Sequence, residues 1–131
     1  DNTTLYPGTL EILSHFKDRH FAVASNKPEK FVRSILKKTG IEGFFEVVLG
    51  GDSAKREKPF PDQPHAVLER IPSDKKKTVL VGDSANDVLA AKDAGIFSCY
   101  VLSGFNKGND LGSLKPDYTI ENIIELKKYF S

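Results

Sequence analysis

The sequence predicts an α/β fold: a Rossmann-like parallel sheet with helices on both faces. Short runs of β-branched and aliphatic residues alternate with segments whose apolar residues recur at helical spacing. Strands that alternate with helices form βαβ units, which pair in parallel and carry their helices on the faces of the sheet. At 131 residues, the chain is long enough for one domain with a single sizeable core.

Five segments are predicted as strands because apolar runs in them end at glycine or small polar residues. They are 21–24, 46–49, 78–82, 98–102 and a short edge strand at 118–120.

Helices are predicted where apolar residues recur every three or four positions and glycine or proline marks an end. They cover about 10–20, 28–39, 65–71, 84–94 and 123–130. The remaining segments are predicted as loops and turns, at 1–8, 52–64, 75–77 and 103–115.

Composition excludes several classes of protein. A net charge of +1 argues against a dedicated nucleic-acid surface, and the sequence has no apolar stretch of membrane-spanning length. Cys99 is the single cysteine, so no intrachain disulfide can form, and its apolar strand predicts inert packing. We therefore expect a cytoplasmic protein that binds neither nucleic acid nor membrane.

Two carboxylates follow the strand at 78–82, where the chain turns directly into a helix. Asp83 ends the strand, and Asp87 falls in the first helical turn, so both can face the crevice at the carboxyl end of the sheet. Two acids there can hold a hard cation such as Mg²⁺. The alternative is that Asp83 or Ser84 caps the helix while Asp87 stabilises its positive end.

Two further groups are predicted at the same edge of the sheet. Ser25, Asn26 and Lys27 end one strand just before a helix, where a hydroxyl, an amide and unpaired N–H groups can bind an anion. Lys58 comes from the loop after the next strand and can place its ammonium near a phosphoryl group. Alternatively, Ser25 and Asn26 only cap the helix, and Lys58 is a surface lysine. Together with the acids, they suit phosphoryl transfer.

These motifs resemble those of the haloacid dehalogenase-like hydrolases, in their phosphatase branch. The second motif of that family matches Ser25, the third matches Lys58-Pro59, and the fourth, an acidic metal motif, matches 82–87. Further stretches are similar to the phosphoglycolate phosphatase group of the family. They lie at 5–8, 25–28, 50–53 and 104–108.

The resemblance implies roles for these residues. Ser25 and the backbone at Asn26 would hold the phosphoryl oxygens, with Asn26 and Lys27 also contacting the substrate. Lys58 would orient the nucleophile and balance charge, which makes Lys58 and Ser25 the catalytic candidates. Asp83 and Asp87 would bind Mg²⁺, and the substrate would be a small phosphorylated metabolite.

The first motif of the family, an Asp-x-Asp pair that carries the nucleophile, does not occur in a matching position. We therefore expect residues 1–131 to be the carboxyl-terminal part of the core domain, without the cap and the central first strand. A segment or second chain would fill the gap between the strands at 21–26 and 78–82, and the 131 residues alone would be inactive.

The predicted function is Mg²⁺-dependent phosphomonoester hydrolysis through a phosphoaspartate. The alternatives are a pyrophosphatase, a sugar-phosphate phosphatase or mutase of the same family, and a non-catalytic module completed by another chain.

Overall fold

A computed structural model describes residues 7–102 and 108–130. The helices are α1 (Thr9–His15), α2 (Glu29–Lys38), α3 (Asp62–Arg70), α4 (Ala85–Ala94) and α5 (Leu126–Tyr129). The strands are β1 (Ala22–Ala24), β2 (Val47–Leu49), β3 (Val79–Gly82), β4 (Phe97–Val101) and β5 (Tyr118–Ile120). Single 3₁₀ turns lie at Glu42–Phe44, Lys75–Lys77 and Ile123–Glu125. None of the helices in the described ranges is long and apolar enough to cross a membrane.

The predicted elements occur in the predicted order, with local differences. Helix α3 begins at Asp62, three residues earlier than predicted, and the N–H of His65 donates to the carbonyl of Pro61 to close its first turn. Pro64 is tolerated there because an N–H in the first helical turn has no intrahelical partner. The predictions for residues 1–6 and 103–107 lie outside the described residues.

Parallel pairing is confirmed, and the sheet is broken at the predicted place. Strands β1 and β2 form one parallel pair, and β3, β4 and β5 form a separate parallel sheet in that order. No ladder joins β1 to β3 among the described residues. All three residues of β1 and the first three of β3 are only half-buried, whereas all of β2 is buried. The two strands beside the break are therefore less covered than an outer strand of the same fold.

Helices cover both faces, as predicted. On β2, Val48 packs in a cluster with residues of α1 and α2, whereas Val47 and Leu49 pack against α3. On β3, Val79 and Val81 face the cluster that contains α1 and α5, whereas Leu80 faces α3 and α4. This alternation is the period-two pattern of strands with two buried faces.

Helix α1 contacts both halves of the broken sheet. Two adjacent residues of this helix, Ile12 and Leu13, are 4% and 5% exposed but belong to different apolar clusters. Ile12 packs with Cys99 and Ile120 of the β3–β5 sheet, whereas Leu13 packs with Val48 of the β1–β2 pair.

Cys99 lies in the core, where it is 1% exposed. Burial raises the pKa of its thiol to about 11. The thiol is therefore protonated at neutral pH, which agrees with the prediction of inert packing.

Candidate active site

The side chain of Lys58 joins the end of β1 to the first turn of α4. The ammonium of Lys58 donates to the carbonyl of Ala24, the last residue of β1, at 2.8 Å, and to Oδ1 of Asp87 at 2.5 Å. The Lys58 and Asp87 side chains are only 11% and 9% exposed. Two of the predicted site residues are therefore in direct contact across the break, next to Ser25.

The side chain of Asn26 holds the backbone of Lys58. Its Nδ2 donates to the Lys58 carbonyl and its Oδ1 accepts from the Lys58 N–H, both at 2.9 Å. Asn26 was predicted to contact the phosphoryl group or substrate. In this structure its side-chain amide fixes the loop that carries the lysine, and the contact with substrate stays a prediction.

The hydroxyl of Ser25 lies where β1 leads into α2. Its oxygen accepts from the N–H of Lys27 at 3.1 Å, which leaves the hydroxyl proton able to donate to an anion. The ammonium of Lys27 lies 5.0 Å from the centroid of the Phe31 ring, so this exposed side chain packs along α2.

The start of α2 is less open than the sequence predicted. The N–H of Glu29 donates to Oδ1 of Asp52 at 2.8 Å, so the prediction that its N–H groups are unpaired is wrong at Glu29. The end of β2 can lie this close to the start of α2 only because residue 50 is glycine: a Cβ there would lie 2.1 Å from the Glu29 nitrogen. The predicted anion site would therefore lie on the Ser25 side of the turn.

The two acids lie at the carboxyl end of β3, as predicted. Asp83 is exposed and directly follows the strand, whereas Asp87 is buried in the first turn of α4. Oδ2 of Asp87 accepts from the N–H of Ser84 at 3.2 Å and from its hydroxyl at 3.1 Å. The capping role considered as an alternative thus occurs, together with the ion pair to Lys58.

The donor set fits Mg²⁺ only as part of a larger site. Among the described residues, no three His, Cys, Asp or Glu side chains cluster as a metal site. Mg²⁺ commonly uses one or two carboxylates and keeps several waters or takes substrate phosphate oxygens. Asp83 and Asp87 match that pattern, in which waters, substrate oxygens or a further carboxylate would complete the site.

Gln63 is a site residue that the sequence analysis missed. It is fully buried in α3, and its Nε2 donates to the carbonyls of Ser25 and Gly50 at 2.7 and 2.8 Å. One amide thus ties the end of β1 to the end of β2. A single glutamine after a proline-rich loop carries no motif that could have revealed this.

Gly82 allows the Asp87 carboxylate to lie against the end of β3. A Cβ at Gly82 would come within 2.2 Å of Oδ2 of Asp87. We expect Gly82→Ala to lower the free energy of unfolding by about 1–3 kcal/mol, because the buried acid must move. Urea titration checks this, with Gly43→Ala as the control, since a Cβ there meets nothing within 4 Å. Equal effects of the two substitutions would contradict the steric argument.

Known proteins of one hydrolase family are similar to this chain in sequence. A family model for haloacid dehalogenase-like hydrolases matches residues 1–101. Phosphoglycolate phosphatase of Vibrio vulnificus strain CMCP6 is 37% identical over 124 residues, which cover 93% of this chain and 54% of that protein. Phosphoglycolate phosphatase of Nitrosococcus oceani is 33% identical over an alignment that covers 100% of this chain and 61% of that protein. The chain thus spans little more than half the length of these relatives.

Solved structures of similar proteins have the same fold. The crystal structure of a predicted phosphoglycolate phosphatase from Haemophilus somnus 129PT superposes with a TM-score of 0.89 at 32% identity, covering 98% of this chain and 58% of that one. The HAD-hydrolase YfnB from Bacillus subtilis, whose structure is bound to magnesium, superposes with a TM-score of 0.82 at 21% identity. That superposition covers 96% of this chain and 55% of YfnB, and it supports the fold alone.

Proposed function

Because the chain belongs to the haloacid dehalogenase-like hydrolase family, we propose that it forms part of a Mg²⁺-dependent phosphatase. The substrate would be a small phosphorylated metabolite, with phosphoglycolate the first candidate from the relatives named above. The observation that carries the proposal is the contact of Lys58 with both the end of β1 and Asp87. It joins an ammonium to a buried carboxylate beside the ends of the strands that lead into Ser25 and Asp83, and ligands of open α/β folds bind at that edge of the sheet.

Each group has a role in phosphoryl transfer, where catalysis is mostly positioning and charge stabilisation. The hydroxyl of Ser25 would donate to a phosphoryl oxygen, with the backbone at Asn26 beside it and Lys27 at the rim. The ammonium of Lys58 would offset charge on the phosphoryl group. Asp83 and Asp87 would hold Mg²⁺, which when bound offsets negative charge on the phosphoryl oxygens.

The nucleophile is proposed to be an aspartate outside these 131 residues. Its carboxylate would attack phosphorus and the ester P–O bond would break, with a proton passing to the leaving alcohol from the second acid of the Asp-x-Asp pair. Water would then hydrolyse the phosphoaspartate and release inorganic phosphate. The relatives support a contribution from a further segment, since the matched residues cover only 54% and 61% of their lengths.

We also propose that a further strand, from another segment or a second chain, lies between β1 and β3. The half-buried residues of both strands support this, since no ladder joins these two strands among the described residues and an uncovered strand edge can pair with a further strand. A cytoplasmic location is part of the proposal, because the single cysteine has no disulfide partner in the chain.

The test is phosphate release from phosphoglycolate and p-nitrophenyl phosphate with Mg²⁺. It compares the 131-residue chain with a longer protein that includes the segment preceding it in the gene. We expect activity only in the longer protein, and a loss of at least about 100-fold in Asp83→Asn. Asp93→Asn, at an exposed acid on the same helix α4, should leave the rate unchanged.

Activity of the short chain would overturn the proposed position of the nucleophile. Inactivity of both proteins would favour the non-catalytic module. Equal losses in the Asp83 and Asp93 variants would show that the loss is not specific to the metal site.

A further inference from the structure

A buried phenol lies beside the proposed metal site. Tyr100 of β4 is fully buried and is the register partner of Gly82, the residue before Asp83. A phenol hydroxyl that is buried away from water needs a hydrogen-bond partner in the protein, and the hydroxyl of Tyr100 donates to Oδ1 of Asp110. The loop after β4 is thus attached to the interior of the sheet through a side chain.

The other oxygen of the same carboxylate reaches helix α4. Oδ2 of Asp110 accepts from the N–H of Ala85 at 2.8 Å. Ala85 is the first residue of α4 and lies between Asp83 and Asp87 in the chain. Asp110 therefore fixes the backbone that sets the separation of the two candidate metal ligands, while Lys58 holds the second of them.

The protonation states suit this arrangement. Burial, reinforced by the hydrogen bond to Asp110, raises the pKa of Tyr100 to about 12. The hydrogen bonds from Tyr100 and from the Ala85 N–H lower the pKa of Asp110. At neutral pH the phenol therefore donates and the carboxylate accepts, which are the states that both hydrogen bonds need.

We propose that Asp110 and Tyr100 are positioning residues for the Asp83–Asp87 pair. Neither acts on the substrate: they hold the first turn of α4 so that the two acids can bind one cation together. This inference rests on the proposed function, since it assigns the two acids to a metal.

The test uses Mn²⁺ as a paramagnetic probe for Mg²⁺, titrated into the longer protein and followed by electron paramagnetic resonance. Removal of partners that orient metal ligands typically costs 10- to 100-fold in affinity, so we expect Asp110→Ala to weaken Mn²⁺ binding about 10-fold. Asp110→Asn should retain most of the affinity, because its amide oxygen can still accept from Ala85. Asp93→Asn is the control, and Tyr100→Phe is a second, milder variant should Asp110→Ala fail to fold.

Amide hydrogen exchange at Ala85 gives a readout that needs no metal. Exchange should be faster in Asp110→Ala and near the wild-type rate in Asp110→Asn. Wild-type Mn²⁺ binding that persists unchanged in Asp110→Ala would overturn this inference alone, and so would a lower melting temperature with unchanged affinity. Absence of Mn²⁺ binding by the wild type would overturn the proposed metal site itself, and the positioning role with it.

Discussion

Lys58→Met is expected to lower the free energy of unfolding of the chain by about 3 kcal/mol, because it leaves the buried carboxylate of Asp87 without its cation. It also removes the donor to the Ala24 carbonyl. Urea unfolding of the 131-residue chain measures the loss, and the same substitution should abolish phosphate release by the longer protein.

A double-mutant cycle separates the ion pair from the lost packing. Asp87→Asn alone should also destabilise, and the double variant should lose less than the sum of the two, by more than about 1 kcal/mol. Lys55→Met, at an exposed lysine of the same loop, should change stability by less than about 0.5 kcal/mol. Additive losses at Lys58 and Asp87 would show that the pair contributes nothing as a pair.

Gln63→Leu is expected to cost about 2–4 kcal/mol, because the carbonyls of Ser25 and Gly50 lose their shared donor. Gln63→Glu should cost more at pH 7, since it directs a carboxylate at two carbonyl oxygens. Burial and those oxygens would raise the pKa of the introduced carboxyl in the folded state. Stability lost at neutral pH should therefore return as the pH falls through the raised pKa of the folded state towards about 4, where most of the carboxyl is protonated in the unfolded state too.

The measurement is urea unfolding of wild type and both variants between pH 4 and 7. Glu69→Gln, at an exposed position of the same helix, is the control and should change little. If Gln63→Glu were as stable as the wild type at pH 7, the hydrogen bonds from the Gln63 amide would not stabilise the contact between the ends of β1 and β2.

Much of the architecture follows from the sequence because strands and helices with two buried faces have strong apolar patterns. The runs at 78–82 and 98–102 predicted β3 and β4 closely, since both are rich in consecutive apolar residues and Gly82 ends the first. Residues 52–64 were less well predicted. Their prolines indicated a loop, whereas Pro61 and Pro64 are compatible with the start of α3.

The sequence predicted which residues lie at the candidate site, but not which of their side chains contact each other. Strand order places Ser25, Lys58 and Asp87 at one edge, because parallel strands share their carboxyl ends. The use of the Asn26 amide to hold Lys58, and of Asp110 to hold Ala85, depends on side-chain directions in loops. Such contacts between residues far apart in the chain leave no periodicity in the sequence.

The contacts of α1 on both sides of the break bear on folding cooperativity. The β1–β2 pair and the β3–β5 sheet share no ladder among the described residues, so their opening is coupled through elements that contact both, such as α1 and α3. Ile12 and Leu13 enter one cluster each from adjacent positions of one helix. Undocking α1 therefore removes apolar contacts from both clusters at once, which links their opening into a single transition.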